Sequence, residues 1–373
     1  MTLIIQDPSR DGGPILVDEL LDGFGDPRYS LWRGLYAFAS AQGAVATLED
    51  PAFTDFLARG GVAELVVGID AVTNPAALIR LREHESAQVK VEVFTSARAG
   101  SIFHPKVSIF SGEASTRLII GSGNFTVGGL RRNYEAFATV EESDVETIAQ
   151  WNSEWHHFRA HNIDRIGPID DEVIERARRN ERIAKAARRA AREEAESADV
   201  VVVENDDDVL IAQDRQNLGD DRRTLVAQVP VARWGQVQFD QGTAESYFGL
   251  KPGSTFAITL QGVDEFGDLQ SPEARRLVFS GANGNAKIEF STRRDQLPPP
   301  ITQGRPILVV REDAPRTFVY SLFMPGDTEY TALNHWIAGH PTSRGGMRRP
   351  QLAWADFVED LPDVAARISD ATE

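Results

Sequence analysis

Between residues 103 and 137 the chain reads FHPKVSIFSGEASTRLIIGSGNFTVGGLRRNYEAF, and four side chains there, His104, Lys106, Asn124 and Glu135, could act together on a phosphate ester. The alternation around His104 and Lys106 predicts a strand with both on one face, because side chains two apart along a strand point the same way. A second apolar run, Leu118 to Ile120, breaks into Gly121-Ser122-Gly123-Asn124, a small-residue turn through which backbone amides can approach an anion. A third strand-like run carries Glu135. Imidazole, ammonium, carboxamide and carboxylate thus arrive from three neighbouring segments, a set suited to attack on a phosphodiester. Each alone has a plainer reading: a structural histidine, a solvated edge-strand lysine, an asparagine required by its turn, a glutamate paired with Arg131 or Arg132. Their joint occurrence in one short stretch favours the chemistry.

The elements that must hold this set are legible upstream. Tyr29 to Ser40 suits a strand beside a core, and Leu48 to Arg59, with Pro51 near its start and Phe53, Phe56 and Leu57 at helical spacing, predicts a helix. Ala63 to Ile69 reads as a buried strand. Asn74 caps a helix with Pro75 at its first position that runs to about Glu85, and Val89 to Phe94 alternates as a strand. Strand, helix, strand, helix, strand implies an α/β layer with parallel neighbours. The first 30 residues, rich in Gly, Asp and Pro, predict an irregular lead-in. Asp144 to Phe158 follows the candidate residues as an amphipathic helix with Trp151 and Trp155 four apart.

A length of 373 residues allows two domains of ordinary size. The absence of cysteine excludes disulfides and thiolate metal sites and fits a reducing cytoplasm. MTLIIQDPSRDGG lacks a basic region before a long apolar stretch, and no apolar run reaches the roughly 20 residues of a spanning helix, so neither secretion nor membrane insertion is predicted. A net charge of −17 looks hostile to nucleic acid, but it is concentrated. Residues 193–221 hold eleven acids and one base, residues 351–373 six acids and one base, and the remainder is nearly neutral. Neither the P-loop nor the dinucleotide fingerprint appears, and His156, His157 and His161 read as surface histidines at a helix end. No metal and no cofactor are predicted.

From Pro168 to about Ala198 an Ala-, Arg- and Glu-rich segment with helical periodicity predicts a solvent-exposed or interdomain helix, followed by an acidic stretch. From about Arg222 to Ile337 short strands separated by Gly, Pro and Asn turns predict a second, mostly β domain of barrel or sandwich type. Residues 222–350 hold fifteen bases and twelve acids, a mildly basic balance. Arg233, Arg275, Arg276, Arg293, Arg294 and Asn283 are its candidate contacts to bases and phosphates, with solvated loop residues as the alternative. Trp234 and Phe248 read as core rather than as stacking platforms.

The series His104-Pro105-Lys106, Gly121-Ser122-Gly123-Asn124 and Asn133-Tyr134-Glu135 resembles the HxK, GSxN and downstream glutamate of the phospholipase D superfamily. It is especially similar to the single-motif nucleases and the BfiI- and NgoFVII-type restriction endonucleases, over roughly residues 30 to 160. One position departs: the superfamily's aspartate five residues after the lysine is Ser111 here. The resemblance implies a metal-independent, two-step phosphoryl transfer. His104 attacks phosphorus, Lys106 and Asn124 neutralise the equatorial oxygens, Glu135 orients His104, Ser122 adds a hydrogen bond, and a second histidine protonates the leaving oxygen. Only one HxK motif is present, so a homodimer with its site on the two-fold axis is expected. Less specifically, Arg233-Trp234-Gly235-Gln236, Tyr247-Phe248-Gly249, Asn283-Gly284-Asn285 and Gly304-Arg305-Pro306-Ile307 resemble the β pseudobarrel DNA-reading domain of the B-three type.

The expectation is therefore an α/β phospholipase D-like catalytic domain over residues 1–165, a helical then acidic linker over 166–221, a β DNA-recognition domain over 222–350 and an acidic tail over 351–373. It describes a cytoplasmic, homodimeric DNA endonuclease of restriction type that acts on double-stranded DNA, with a cognate methyltransferase as a further partner. Within the linker, Glu204 to Asp208 is read as solvated chain, or as an electrostatic mimic of DNA filling the cleft around Lys106. A lipid phosphodiesterase of the same superfamily and a catalytically silent DNA-binding protein, conceivable because of Ser111, are the alternatives.

Overall fold

The computed structural model describes residues 1–10, 12–69, 73–96, 102–183, 222–231, 235–250, 252–253, 257–279, 285–292, 304–342 and 346–369, and the backbone alone of residues 201–204 and 209–212. The chain divides into two compact units, Met1–Asn217 and Leu218–Glu373.

The first unit alternates strands and helices: β1 (Thr2–Gln6), α1 (Leu16–Gly25), β2 (Leu31–Tyr36), α2 (Ala41–Leu48), α3 (Pro51–Ala58), β3 (Val62–Gly68), α4 (Pro75–Glu83), β4 (Val89–Phe94), β5 (Lys106–Ser111), β6 (Thr116–Gly121), a π-helical turn (Gly128–Arg132), β7 (Glu135–Glu142), α5 (Val145–His161) and β8 (Ile166–Pro168). A further helix, α6, covers residues 171–183, and β9 (Val201–Glu204) pairs with β10 (Val209–Ala212). β1 to β8 make one sheet in the order β1-β7-β6-β5-β2-β3-β4-β8. β2, β3 and β4 are parallel, whereas β5 returns antiparallel to β2, and β6, β7 and β1 continue antiparallel. The helices begin where the sequence supplies caps. Ser40, Asp50, Asn74 and Asp144 each accept a first-turn N–H, and Pro51 and Pro75 occupy first-turn positions whose N–H has no helical partner anyway.

One face of this sheet buries Trp32, Tyr36, Phe110, Ile119 and Phe137. Phe24 of α1 meets Trp32, Phe53 and Phe110 edge-on, with ring centroids 5.1, 4.9 and 5.1 Å apart. On the opposite face α5 closes a cluster of Val66, Phe94, Phe103, Trp155 and Ile166. Arg33 anchors that helix by donating to Glu64 at 3.0 Å and Asn152 at 2.7 Å. Farther along this face the cross-strand partners Leu3, Ala138, Ile120, Val107 and Leu35 form an apolar row. At its outer end Leu3 is 68% exposed and Ile120 47% exposed, and Ile5 beside them is 58% exposed.

The irregular lead-in expected for the first 30 residues is corrected. Thr2–Gln6 adds an edge strand to β7, and α1 buries Leu16, Val17, Leu20, Leu21 and Phe24, a helical stripe that the surrounding Gly and Asp residues disguise. A second helix, α2, precedes the one expected around Pro51.

The second unit contains β11 (Arg223–Gln228), β12 (Gln236–Phe239), α7 (Gln241–Ser246), β13 (Ile258–Val263), β14 (Glu273–Arg275), β15 (Val278–Phe279), β16 (Ala286–Glu289), β17 (Ile307–Ala314), β18 (Thr317–Phe323), α8 (Tyr330–Ala338), β19 (Gln351–Ala353), α9 (Trp354–Asp360) and α10 (Pro362–Ser369). Its strands form a six-stranded sheet, β14-β13-β18-β17-β11-β19, and a three-stranded one, β12-β16-β15. Strand alternation sends Leu225, Leu308, Val310 and Phe318 into one core with Val237 and Ile288 of the smaller sheet. The intervening Val226, Val309, Val319 and Phe323 enter a second core with Leu333 and Phe357. Phe248 is fully buried, as expected, and Trp234 lies outside the described residues. The segment from residue 351 is not a separate tail: Trp354, Phe357, Leu361, Val364 and Ile368 are buried in the second core, at a helical spacing that the acids between them conceal.

Candidate active site

Lys106 opens β5, Gly121 closes β6 and Glu135 opens β7. These strands are consecutive antiparallel neighbours, so their ends fall on one edge of the sheet. β2 ends there too, with Tyr36 opposite Lys106 and Ala37 N donating to Pro105 O at 2.8 Å. The edge is where β2 and β3 present their carboxyl ends, the place where open α/β sheets hold ligands.

His104 lies just before β5 rather than within it, because Pro105 has no N–H to give the ladder. Its exposed ring stands edge-on to Phe38, centroids 6.0 Å apart. Lys106 Nζ is 3.2 Å from Nδ1 and 3.0 Å from Nε2 of His104. Near-equal distances to two nitrogens whose in-plane directions diverge put the ammonium over the ring face. Imidazole and ammonium therefore stand within reach of a single phosphate group.

Glu135 is 9% exposed. It accepts a short hydrogen bond from Ser122 Oγ and a longer one, 3.5 Å, from Asn133 Nδ2. Ala136 N donates to Ser122 Oγ at 3.1 Å and Ser122 N to Ala136 O at 3.0 Å, so the hydroxyl is held between the two strand ends. Asn124 is 2% exposed, and its Oδ1 has no hydrogen-bond partner among the described residues. A buried acceptor without a partner is costly in a purely structural role.

The small residues of the turn are needed for close packing. A Cβ at Gly121 would lie 2.4 Å from Ala136 O, at Gly123 2.6 Å from Leu16 Cδ2, and at Gly129 2.2 Å from Asn124 N. Gly129 belongs to the π-helical turn, closed by Asn133 N donating to Gly128 O at 2.8 Å, an insertion frequent at functional sites. Ser111 stands apart: it pairs with Leu31 and Thr116 at the far end of β5, about 17 Å along the strand from Lys106 and on the other face. The departure from the motif therefore lies away from the candidate residues.

Asn133, named in the motif for its neighbour Glu135, also borders the site, as does Phe38, which the sequence did not single out and only the fold brings there. In the second unit Arg275 pairs with Glu273 and donates to Ala274 O at 3.3 Å, while Arg276 is exposed. Arg233, Arg293, Arg294, Asn283 and Asp206 to Asp208 lie outside the described residues. His157 and His161 stack with centroids 6.4 Å apart on an exposed stretch of α5.

Residues 29–158 match the family model described as cardiolipin synthase, PLD-like domain. They form a phospholipase D-like domain. It spans β2 to most of α5 and includes every candidate catalytic residue, while β1 and α1 fall outside the matched range. Among solved structures, NucT from Helicobacter pylori is 18% identical with a TM-score of 0.33, over 45% of this chain and 97% of that one. Nuc from Salmonella typhimurium, a phospholipase D family member, is 16% identical with a TM-score of 0.33, over 44% and 96%. Yeast tyrosyl-DNA phosphodiesterase is 12% identical with a TM-score of 0.25, over 44% and 42%. Such scores leave the chemistry to be read from the residues. No curated protein sequence matches the chain. No described helix is long and apolar enough to cross a membrane.

Proposed function

We propose that the protein is a metal-independent endonuclease that cuts double-stranded DNA through a phosphohistidine at His104, a restriction enzyme of the BfiI and NgoFVII type. The convergence of His104, Lys106, Ser122, Asn124 and Glu135 on the adjoining ends of β5, β6 and β7 carries this reading. In the first step His104 attacks phosphorus, a P–N bond forms, and the P–O bond to the leaving alcohol breaks. In the second, water cleaves the P–N bond and leaves a phosphomonoester. Lys106 and Asn124 face the charge that builds on the equatorial oxygens. Glu135, steadied by Ser122, fixes the imidazole for attack.

The leaving oxygen needs a proton donor, and the chain has one HxK motif. The reading therefore includes a homodimer in which a second copy's His104 supplies the proton. The exposed apolar row from Leu3 to Ile120, on strands that carry the site, supports this as the face that pairs. The second unit, with two sheets and an exposed Arg276, is assigned DNA recognition through a B-three-like pseudobarrel. A cognate methyltransferase and a cytoplasmic location follow from a restriction role.

Incubating the full chain with supercoiled plasmid in EDTA tests the reading. Discrete linear products are expected, with His104→Ala lowering the rate by about 1,000-fold or more. Release of phosphate head groups from vesicles with intact plasmid would replace the DNA reading by the lipid one. Inertness on both substrates would make the chain a silent binder.

A further inference from the structure

We propose that Gln6 is a positioning residue for this site: from the N-terminal edge strand, its buried carboxamide holds both the turn behind Asn124 and the start of the Glu135 strand. The inference rests on the phosphodiesterase reading of His104 and its neighbours. Gln6 ends β1, outside the residues matched to the phospholipase D-like family. It is 0% exposed, a setting in which a primary amide is destabilising unless its polar atoms find partners. They do: Oε1 accepts from Leu16 N at 2.8 Å, and Nε2 donates to Asn133 O at 2.8 Å and Gly129 O at 3.4 Å. Leu16 carries the first N–H of α1, whose N-cap residue Ile15 offers no side-chain bond, so Gln6 caps that helix from ten residues away.

All three partners lead to the candidate residues. Asn133 is two residues before Glu135 and donates to its Oε1 at 3.5 Å. Gly129 packs so close to Asn124 that a Cβ would lie 2.2 Å from Asn124 N. Leu16 Cδ2 would lie 2.6 Å from a Cβ at Gly123 in the same turn. In the sheet itself Gln6 is the register partner of Glu135. One carboxamide thus ties the supports of Asn124 and Glu135 together. An apolar side chain of equal length would fill the same space and let both drift, and small displacements of reacting groups cost rate steeply.

Gln6→Met in the full chain, assayed on plasmid and on bis(4-nitrophenyl) phosphate, tests the inference beside Ile4→Ala, a control on the same strand. Gln6→Met should lower kcat about 10- to 100-fold with KM within about twofold, while Ile4→Ala lowers Tm without that loss of kcat. An unchanged kcat in Gln6→Met, measured well below its Tm, overturns the proposal, as does an equal loss in both variants. Should Gln6→Met not fold, Gln6→Asn keeps the amide one methylene shorter; a smaller kcat loss at constant KM supports the role and an unchanged kcat overturns it. A wild-type chain inactive on both substrates removes the phosphodiesterase reading and this proposal together. Activity in wild type with none of these kcat losses removes this proposal alone.

Discussion

The two halves of the first sheet are finished differently. β3 and β4 are buried on both faces over most of their length, as parallel strands between helical layers are, β3 mainly through apolar residues and β4 with the buried Glu92 paired with Lys90 and Arg159. β1, β6 and β7 alternate: Gln6, Ile119 and Phe137 are buried, while Leu3, Ile5 and Ile120 look outward. The candidate residues all belong to the half that one chain leaves partly uncovered. On the proposed function, the completed half supplies stability, and the open half carries the chemistry beside the face assigned to a partner.

The largest effect that would break this contrast is on stability. Trp155→Ala, which opens the cluster under α5, should cost about 3–5 kcal/mol in urea unfolding. Ile120→Ser on the open face should change the isolated chain by within about 0.5 kcal/mol. Comparable losses would show that the two halves are equally sealed in one chain. Ile120→Asp comes next: on the homodimer reading it should weaken self-association about tenfold or more by sedimentation and lower plasmid cleavage with it. Self-association insensitive to this charge would move the partner face elsewhere. Smaller still, Ser122→Ala removes the hydroxyl held between Glu135 and Ala136 N and should slow cleavage about 5- to 10-fold, roughly one hydrogen bond's worth. An unaltered rate would leave Ser122 a strand-end residue only.

What the sequence revealed follows from the range of the interactions. β5, β6 and β7 pair through near neighbours, so alternation exposed them, and the Asn74–Pro75 and Asp144 starts were visible because capping is local. β1 was not, since its partner β7 lies more than a hundred residues on and five residues carry too little pattern alone. α2 was hidden by Gly43, which looks like a helix breaker but lets the helix approach Phe125, where a Cβ would sit 2.2 Å from the carbonyl oxygen. Of the site, the residue types and their common edge were readable. The placement of His104 ahead of the strand, the ammonium over its ring and the buttress from Gln6 depend on tertiary packing.

The smallest expected effect sets one acid of each region against the other in sign. Glu19 of α1 pairs with Arg117 of β6 in the open half, while Glu49, after α2, pairs with Arg80 at 2.6 Å and faces His84 at 3.5 Å in the helical layer. Burial pushes the Glu19 carboxyl up from 4.5 and outweighs the attraction of Arg117, with Asp22 and Asp18 adding to the rise. Burial also acts upward on Glu49, but the nearby His84 imidazole and the hydrogen-bonded Arg80 guanidinium overcome it and hold that carboxyl below 4.5. A depressed acid stabilises the fold above its unfolded value and loses that contribution as pH falls through the folded one. A raised acid does the reverse, favouring the fold at low pH and losing that contribution as pH rises through the folded value. Going from about pH 6 to about pH 3.5, the stability difference between wild type and Glu49→Gln should therefore shrink, while wild type should gain relative to Glu19→Gln. Slopes are compared rather than single values because Glu19→Gln also strips Arg117 of its counter-charge, a cost that adds a constant offset. Urea midpoints for the two variants across that range decide it. Two slopes of the same sign would mean that both pairs sit in equivalent surroundings.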